Sequence, residues 1–143
     1  MKIRRVSRYG KRLQESVGRL MPQLDPSCPI PSEKYLKKVI SDRDTFFLVA
    51  EDDRNEILGL LTITRYFIPS GTKYWIDDVI VDEMHRGEGI GKALMLHAIL
   101  MAKREGAHSL DLTSRPFRTA ANRLYSDLGF VRRETNVYRL ILG

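Results

Sequence analysis

Cysteine is almost missing from this chain. Cys28 is the only one in 143 residues, so a framework of internal disulfides is excluded. That scarcity fits a reducing compartment, and the cytoplasm is the expected location. Long apolar runs are missing too, and none approaches the ~18 residues of a membrane-spanning helix. The opening MKIRRVSRYGKRL is basic but lacks the apolar stretch of a secretory leader, and KIRRVS reads better as a first strand. Extended runs of one charge are absent as well. The net charge is +6, yet the basic residues are scattered, with small clusters at Arg4–Arg5, Lys37–Lys38 and Arg132–Arg133. Nothing here resembles a nucleic-acid-binding arm, and a polyanionic small ligand or a solvated basic surface accounts for the balance equally well. No repeat, low-complexity linker or metal-ligand spacing of His and Cys occurs, so no metal is expected.

What remains is an ordinary globular composition, 43% hydrophobic and 29% charged. The length suits one domain over residues 1–143, able to bury roughly two thirds of its unfolded surface. After the first strand, Leu13, Val17, Leu20 and Met21 recur at helical spacing over Tyr9–Leu20. MPQLDPSCPIPS is dense in proline and predicts a loop. Ser32 and Glu33 open a second helix to about Ile40. TFFLVAED, ILGLLTITRYFI and YWIDDVIVD read as three strands joined by the turns DRNE and PSGTK. Lys92–Glu105 is helical and stops at Gly106, SLDLTS alternates like a strand, Thr119–Leu128 is helical before Gly129, and TNVYRLIL reads as a last strand. Antiparallel hairpins followed by a strand–helix–strand crossover predict a mixed, mostly antiparallel α/β sheet flanked by helices.

HRGEGIGKAL, His85–Leu94, places Gly87, Gly89 and Gly91 at alternate positions and runs into a helix. Bare backbone at a helix N-terminus offers unpaired N–H donors and a positive dipole end, which suit an anion, most often phosphate. It is not a Walker A loop, because Arg86 stands where the first glycine belongs and Ala93 replaces the hydroxyl residue after Lys92. It is not a dinucleotide fingerprint either, because Gly91 comes one residue early and the loop follows a meander rather than a βαβ opening.

Arg86-x-x-Gly89-x-Gly91, together with the preceding WIDDVIVDEMHRG, resembles the pyrophosphate loop and strand of the GNAT acyltransferases, the Gcn5-related N-acetyltransferase superfamily. Ala120–Phe130, AANRLYSDLGF, resembles that family's second signature, A-x-x-L-Y-x-x-x-G-F. The resemblance implies a GNAT fold and an acetyltransferase taking acetyl-CoA, or another acyl-CoA, and an amine. The cofactor's diphosphate would lie on the backbone of Gly87, Glu88, Gly89, Ile90, Gly91 and Lys92, after Arg86. Glu88 is electrostatically unsuited to an anion and is expected to face solvent. The backbone of Val79, Ile80 and Val81 would pair with the pantetheine amides like an added strand, while their side chains also fit a buried core.

Tyr125 falls where the family places a tyrosine that protonates the departing thiolate, although Ala121, Leu124, Tyr125 and Leu128 equally form a core stripe. The expected base is Asp77, with Asp78 second; on a regular strand the two point to opposite faces. Thr113 stands where some relatives carry a glutamate. Upstream of the tyrosine, where the family often has asparagine, this chain has Arg118. That residue or Arg115 could reach a CoA phosphate, and Asn122 is a further cofactor candidate. His97 fits a structural place in an apolar helix, and Cys28 has no evident base. The rival reading is a non-catalytic acyl-CoA-binding module. Nothing in the acceptor region, Pro22–Pro31, Phe46–Phe47 and Tyr66–Tyr74, names the amine, which could be a small molecule or a peptide. A homodimer through the last strand is possible on the pattern.

Overall fold

The computed structural model describes all residues 1–143. Two compact units result, Met1–Thr113 and Ser114–Gly143. In the first, the elements are β1 (Lys2–Arg5), α1 (Lys11–Leu24), α2 (Glu33–Ser41), β2 (Thr45–Glu51), β3 (Ile57–Ile68), β4 (Gly71–Val81), a 3-10 turn (Glu83–His85), α3 (Ile90–Arg104) and β5 (Asp111–Leu112). The second holds α4 (Thr119–Asp127).

The sheet order is β1-β2-β3-β4-β5. The first four strands form the antiparallel meander, and β5 joins β4 in parallel after the α3 crossover. Ile68 pairs with Gly71, so Pro69 and Ser70 alone make the β3–β4 turn. The alternation of β2 explains its two-sided burial. Phe47 and Val49 join Val6, Leu13, Val17, Leu20, Leu36, Leu60 and Ile80 in a core beneath α1 and α2. Leu48, Leu61 and Ile63, of opposite parity, are equally buried on the other face, where α3 contributes Ile90, Leu94, Met95, Ala98 and Ala102. Each such aliphatic side chain stabilises the fold by about 1.5–3 kcal/mol when fully buried.

Local chemistry sets the helix ends. Ser32 Oγ accepts from Tyr35 N–H at 3.2 Å and starts α2. Beyond α3 and α4 the chain reverses at Gly106 and Gly129, where Ala107 N–H donates to Ala102 O at 2.9 Å and Phe130 N–H to Tyr125 O at 3.0 Å.

Two expectations need correcting. The helix α1 continues through Pro22 to Leu24 instead of stopping before the proline-rich stretch. Pro22 has no N–H to give Gly18 O and its ring crowds that carbonyl, but this cost falls only on the helix's last turn. The final strand does not form: residues 131–143 adopt no regular element. Val137, Tyr138, Leu140, Ile141 and Leu142 are all exposed. A β-favouring composition makes a strand only where another strand satisfies its backbone, and no ladder is offered to this segment.

Candidate functional site

β4 carries the site because it is paired unevenly. Against β3 it is bonded along its whole length, down to Leu60↔Ile80 and Gly59↔Val81. Against β5 it has only Trp75↔Asp111 and Ile76↔Leu112. From Asp77 to Val81, therefore, one edge of β4 faces no strand. Its N–H and C=O groups there form a template for an extended ligand. Val79, Ile80 and Val81 lie on this stretch, with Ile80 buried and its neighbours half-buried. Thr113 follows directly on β5, where the strands have parted.

The opening coincides with a bulge. Thr62 pairs with Asp77 and Leu60 with Ile80, so Asp78 and Val79 together oppose Leu61. Asp78 takes φ 53°, the left-handed region that Asp and Asn tolerate better than most residues. The bulge corrects the simple alternation expected of Asp77 and Asp78. Paired residues share a face, so Asp77 sits with Thr62 and Leu60 on the α1–α2 side. The extra residue then shifts the phase, and Ile80 lands on that face too, although Ile76, paired with Ile63, lies on the other.

Both carboxyls reach water, yet enough protein flanks them to remove part of their hydration. That desolvation pushes the Asp77 pKa up, partly offset by a hydrogen bond from the Trp75 side chain. Asp78 is pushed up by desolvation and then by the charge of Asp77 beside it.

Downstream, the 3-10 turn delivers the chain to the glycine loop. Gly87 and Gly89 have φ 80° and 82°, and a Cβ on either would meet nothing within 4 Å. These residues thus satisfy the backbone while leaving open space above it. Gly89 is the N-cap of α3; no side chain caps that end and no acidic residue lies in its first turn. The first helical donor bonded back is Ala93, to Gly89 O at 3.0 Å, so the amides of Ile90, Gly91 and Lys92 precede it. Arg86 and Lys92 are exposed beside them, and Ile90 offers only its backbone, its side chain being buried under α3. Glu88 is held by His85, Nδ1 to Oε2 at 2.8 Å. Open glycines, an uncapped helix and two flanking cations fit a diphosphate, as the free β4 edge fits an amide-bearing arm.

The other anticipated residues lie on or next to α4 in the second unit. Tyr125 is 6% exposed. Desolvation raises its pKa, and the charge of Arg118 only partly counters this, so the phenol stays protonated. Its ring meets Phe130 edge-on, with centroids 6.0 Å apart. Asn122 Nδ2 donates to Arg115 O at 2.9 Å, which leaves its second N–H and its amide oxygen for other contacts.

Three contributors escaped the sequence reading. Trp75 holds Asp77. Gly59 lies under α3, where a Cβ would stand 2.8 Å from Ile80 O. Asp82 ends β4 in an ion pair with Arg19. The only sequence hint was an isolated glycine inside a strand, which often marks close backbone approach.

The sheet thus opens at Asp77 and leads directly into an uncapped glycine loop. The acetyltransferase (GNAT) family model matches residues 11–130, and the chain belongs to that family. Its members in general use acetyl-CoA. Glucosamine 6-phosphate N-acetyltransferase 1 of Oryza sativa subsp. japonica is 28% identical over 126 residues, covering 82% of this chain and 74% of the rice protein. A Drosophila melanogaster protein named "Probable glucosamine 6-phosphate N-acetyltransferase" is 33% identical over 92 residues, 62% of this chain and 41% of its own length. Among solved structures, an aminoglycoside acetyltransferase from an uncultured soil metagenomic sample superposes with TM-score 0.85 at 21% identity, covering 99% of this chain and 95% of that one. At that identity the likeness speaks for the fold. No helix is long and apolar enough to cross a membrane.

Proposed function

We propose that this protein is an N-acetyltransferase that moves an acetyl group from acetyl-CoA to a primary amine by direct attack. The single observation that carries this reading is the parting of β4 and β5 at Asp77, immediately upstream of the bare loop. Acetyl-CoA would supply a thioester carbonyl as the electrophile. The amides of Gly87–Lys92 and the side chains of Arg86 and Lys92 would hold its diphosphate, and the open edge Val79–Val81 its amide arm. Much of the rate enhancement would come from that positioning.

The amine enters as an ammonium with pKa near 10.4 and must lose a proton before attack. Asp77 takes it, directly or through water, with Asp78 as second candidate; partial desolvation makes each a stronger base than a free carboxylate. The new N–C bond forms, the nitrogen sheds its second proton to solvent water, and the C–S bond breaks. Tyr125 gives sulfur the proton it then needs, a role supported by its place in the AANRLYSDLGF motif and by the burial that keeps its phenol protonated. Arg118 and Asn122 are further candidate contacts to the nucleotide. The acceptor is an amine, and relatives named for glucosamine 6-phosphate favour an amino sugar.

The test has two stages. Acetyl-CoA at a hundred times its Kd should add about 2.7 kcal/mol, roughly 5–10 °C in Tm, while inorganic phosphate adds far less. Gly89→Glu, which forces a side chain onto a left-handed residue and a charge onto the anion's place, should remove the response. An amino-sugar panel with a thiol-release readout then identifies the acceptor. A Tm indifferent to acetyl-CoA would sink the cofactor assignment; binding without thiol release on any amine would sink the transferase reading.

A further inference from the structure

The strongest unassigned cluster stands where β4 leaves the sheet. Asp82 is 6% exposed, and four groups engage it or its turn. Arg19, on α1, makes an ion pair with Oδ2 and with its other nitrogen donates to Ile57 O at 2.8 Å, at the start of β3. Oδ1 accepts from Met84 N–H at 3.2 Å and so caps the 3-10 turn. Gln23, one helical turn beyond Arg19, accepts from Glu83 N–H at 2.8 Å and its side chain also bonds Asp82. The Asp82 backbone N–H is fixed to Leu58 O at 2.8 Å. Desolvation alone would raise this carboxyl's pKa. The Met84 amide, the Arg19 charge and the side-chain bonds from Gln23 and Arg19 together outweigh it and hold the group below the ordinary carboxylate value.

The printed partners of these groups lie in α1, at the start of β3 and in the turn Asp82–Met84. All of them fix the residues that come just before Arg86. We propose that Arg19, Gln23 and Asp82 are positioning residues for the glycine loop: α1 grips the exit of β4 and thereby sets the angle at which Gly87–Lys92 presents its donors. The inference rests on the loop being the diphosphate site. A charge-assisted bond to a buried partner is geometrically exacting, and a helix end binds an anion only when several donors converge on it. Releasing the grip lets the loop's hinge at Asp82–Arg86 sample orientations in which they do not.

The test compares Arg19→Ala, Gln23→Ala and the conservative Arg19→Lys with a matched control, Arg4→Ala. The control breaks a similarly half-sheltered pair, Arg4–Glu51, on β1 and β2. Coenzyme A affinity is measured by calorimetry on the folded proteins, and amide hydrogen exchange is followed across residues 86–92. Arg19→Ala should weaken coenzyme A binding roughly tenfold and speed exchange in the loop, Arg19→Lys should recover part of both, and Arg4→Ala should change neither. Wild-type affinity and exchange in Arg19→Ala overturns the proposal, as does an equal loss in Arg4→Ala, which would mean general loosening. Should the wild-type protein fail to bind coenzyme A, the diphosphate reading is lost, while the exchange comparison still decides whether α1 restrains the loop. If Arg19→Ala does not fold, Gln23→Ala and Arg19→Lys carry the same comparison.

Discussion

Gly59→Ala is the most informative single methyl that can be added to this protein. Gly59 lies on β3, paired with Val81 on one side and with Ala50 on the other, beside a register shift between Ala50 and Glu51. A Cβ there would stand 2.8 Å from the carbonyl oxygen of Ile80, 3.1 Å from Leu94 Cδ1 and 3.2 Å from Ile90 Cγ2. The two α3 side chains can give by a few tenths of an ångström. The Ile80 oxygen belongs to β4 backbone that is tied to β3, so relief requires the strand itself to shift. Overpacking of this kind costs about 1–3 kcal/mol. Replacing glycine by alanine in a strand recovers about 0.5–1 kcal/mol of chain entropy, which leaves a net loss of about 0–2.5 kcal/mol, centred near 1 kcal/mol. For a chain of this size the central value lowers Tm by roughly 2–4 °C. Gly18→Ala is the internal comparison. That residue sits inside α1, and its Cβ would meet only Ile30 Cγ2 at 3.8 Å, so the same substitution should stabilise by about 0.5–1 kcal/mol. Thermal and urea unfolding of both variants read the sign directly. The methyl at 59 also separates α3's first turn from β4, the two elements that bracket the loop, so acetyl-CoA affinity should fall with stability. A Gly59→Ala protein as stable as the wild type, or one shifted upward like Gly18→Ala, would refute the packing argument.

Two further outcomes follow from the titrating groups. Tyr125→Phe should cut turnover at least tenfold, the lower end of what an oriented proton donor contributes, while acetyl-CoA affinity measured by calorimetry stays near wild type; unchanged turnover would return Tyr125 to a purely structural role beside Phe130. Asp78 has a folded pKa above its unfolded one, so its stabilising contribution is present below the ordinary carboxylate pKa of about 3.9 and is lost as pH rises through the raised value. Asp78→Asn, which keeps a residue tolerant of φ 53°, should therefore raise Tm above neutrality by roughly 1–2 °C, small because the carboxyl is open to water. The gain should vanish in melts near pH 3, and a gain independent of pH would assign it to the backbone instead of the charge.

The elements that followed a single repeat were legible from the sequence. ILGLLTITRYFI became β3 with the anticipated ends, Ile57–Ile68, because its alternation and turns agree. The helix after HRGEGIG ran to Arg104, because glycines bound it on both sides. Legibility ended where one residue's neighbours come from far along the chain. WIDDVIVD has a regular strand's composition, and nothing within it announces that Asp78 is the extra residue of a bulge; that depends on the register with Thr62 and Leu60. Arg19 is one basic residue among many until Asp82, 63 positions away, is folded against it. TNVYRLIL erred in the opposite sense. Its β-forming side chains were read correctly, but whether a strand forms is decided by a partner edge that no local pattern encodes.

β4 past Ile76 poses a mechanical problem that the rest of the fold answers. An edge strand with unpaired polar groups is held on one side only, and such an edge would ordinarily fray or recruit another chain. Here each degree of freedom left by the missing β5 ladder is removed from elsewhere. The bulge at Asp78 increases local twist and turns the strand away from β5's line. Gly59, bare on β3, lets the Ile90 and Leu94 side chains of α3 pack down beside the Ile80 carbonyl of β4, so the helix backs the strands closely. Arg19 and Gln23 fasten its end to α1 through Asp82 and Glu83. The consequence is an open edge on a stiff strand, followed within a few residues by an open helix end on a stiff helix. An extended ligand with amides at one end and a diphosphate at the other would lose its own freedom on binding there, but would have little protein freedom to remove. That division of cost explains why three residues with no expected contact to the ligand should change its affinity.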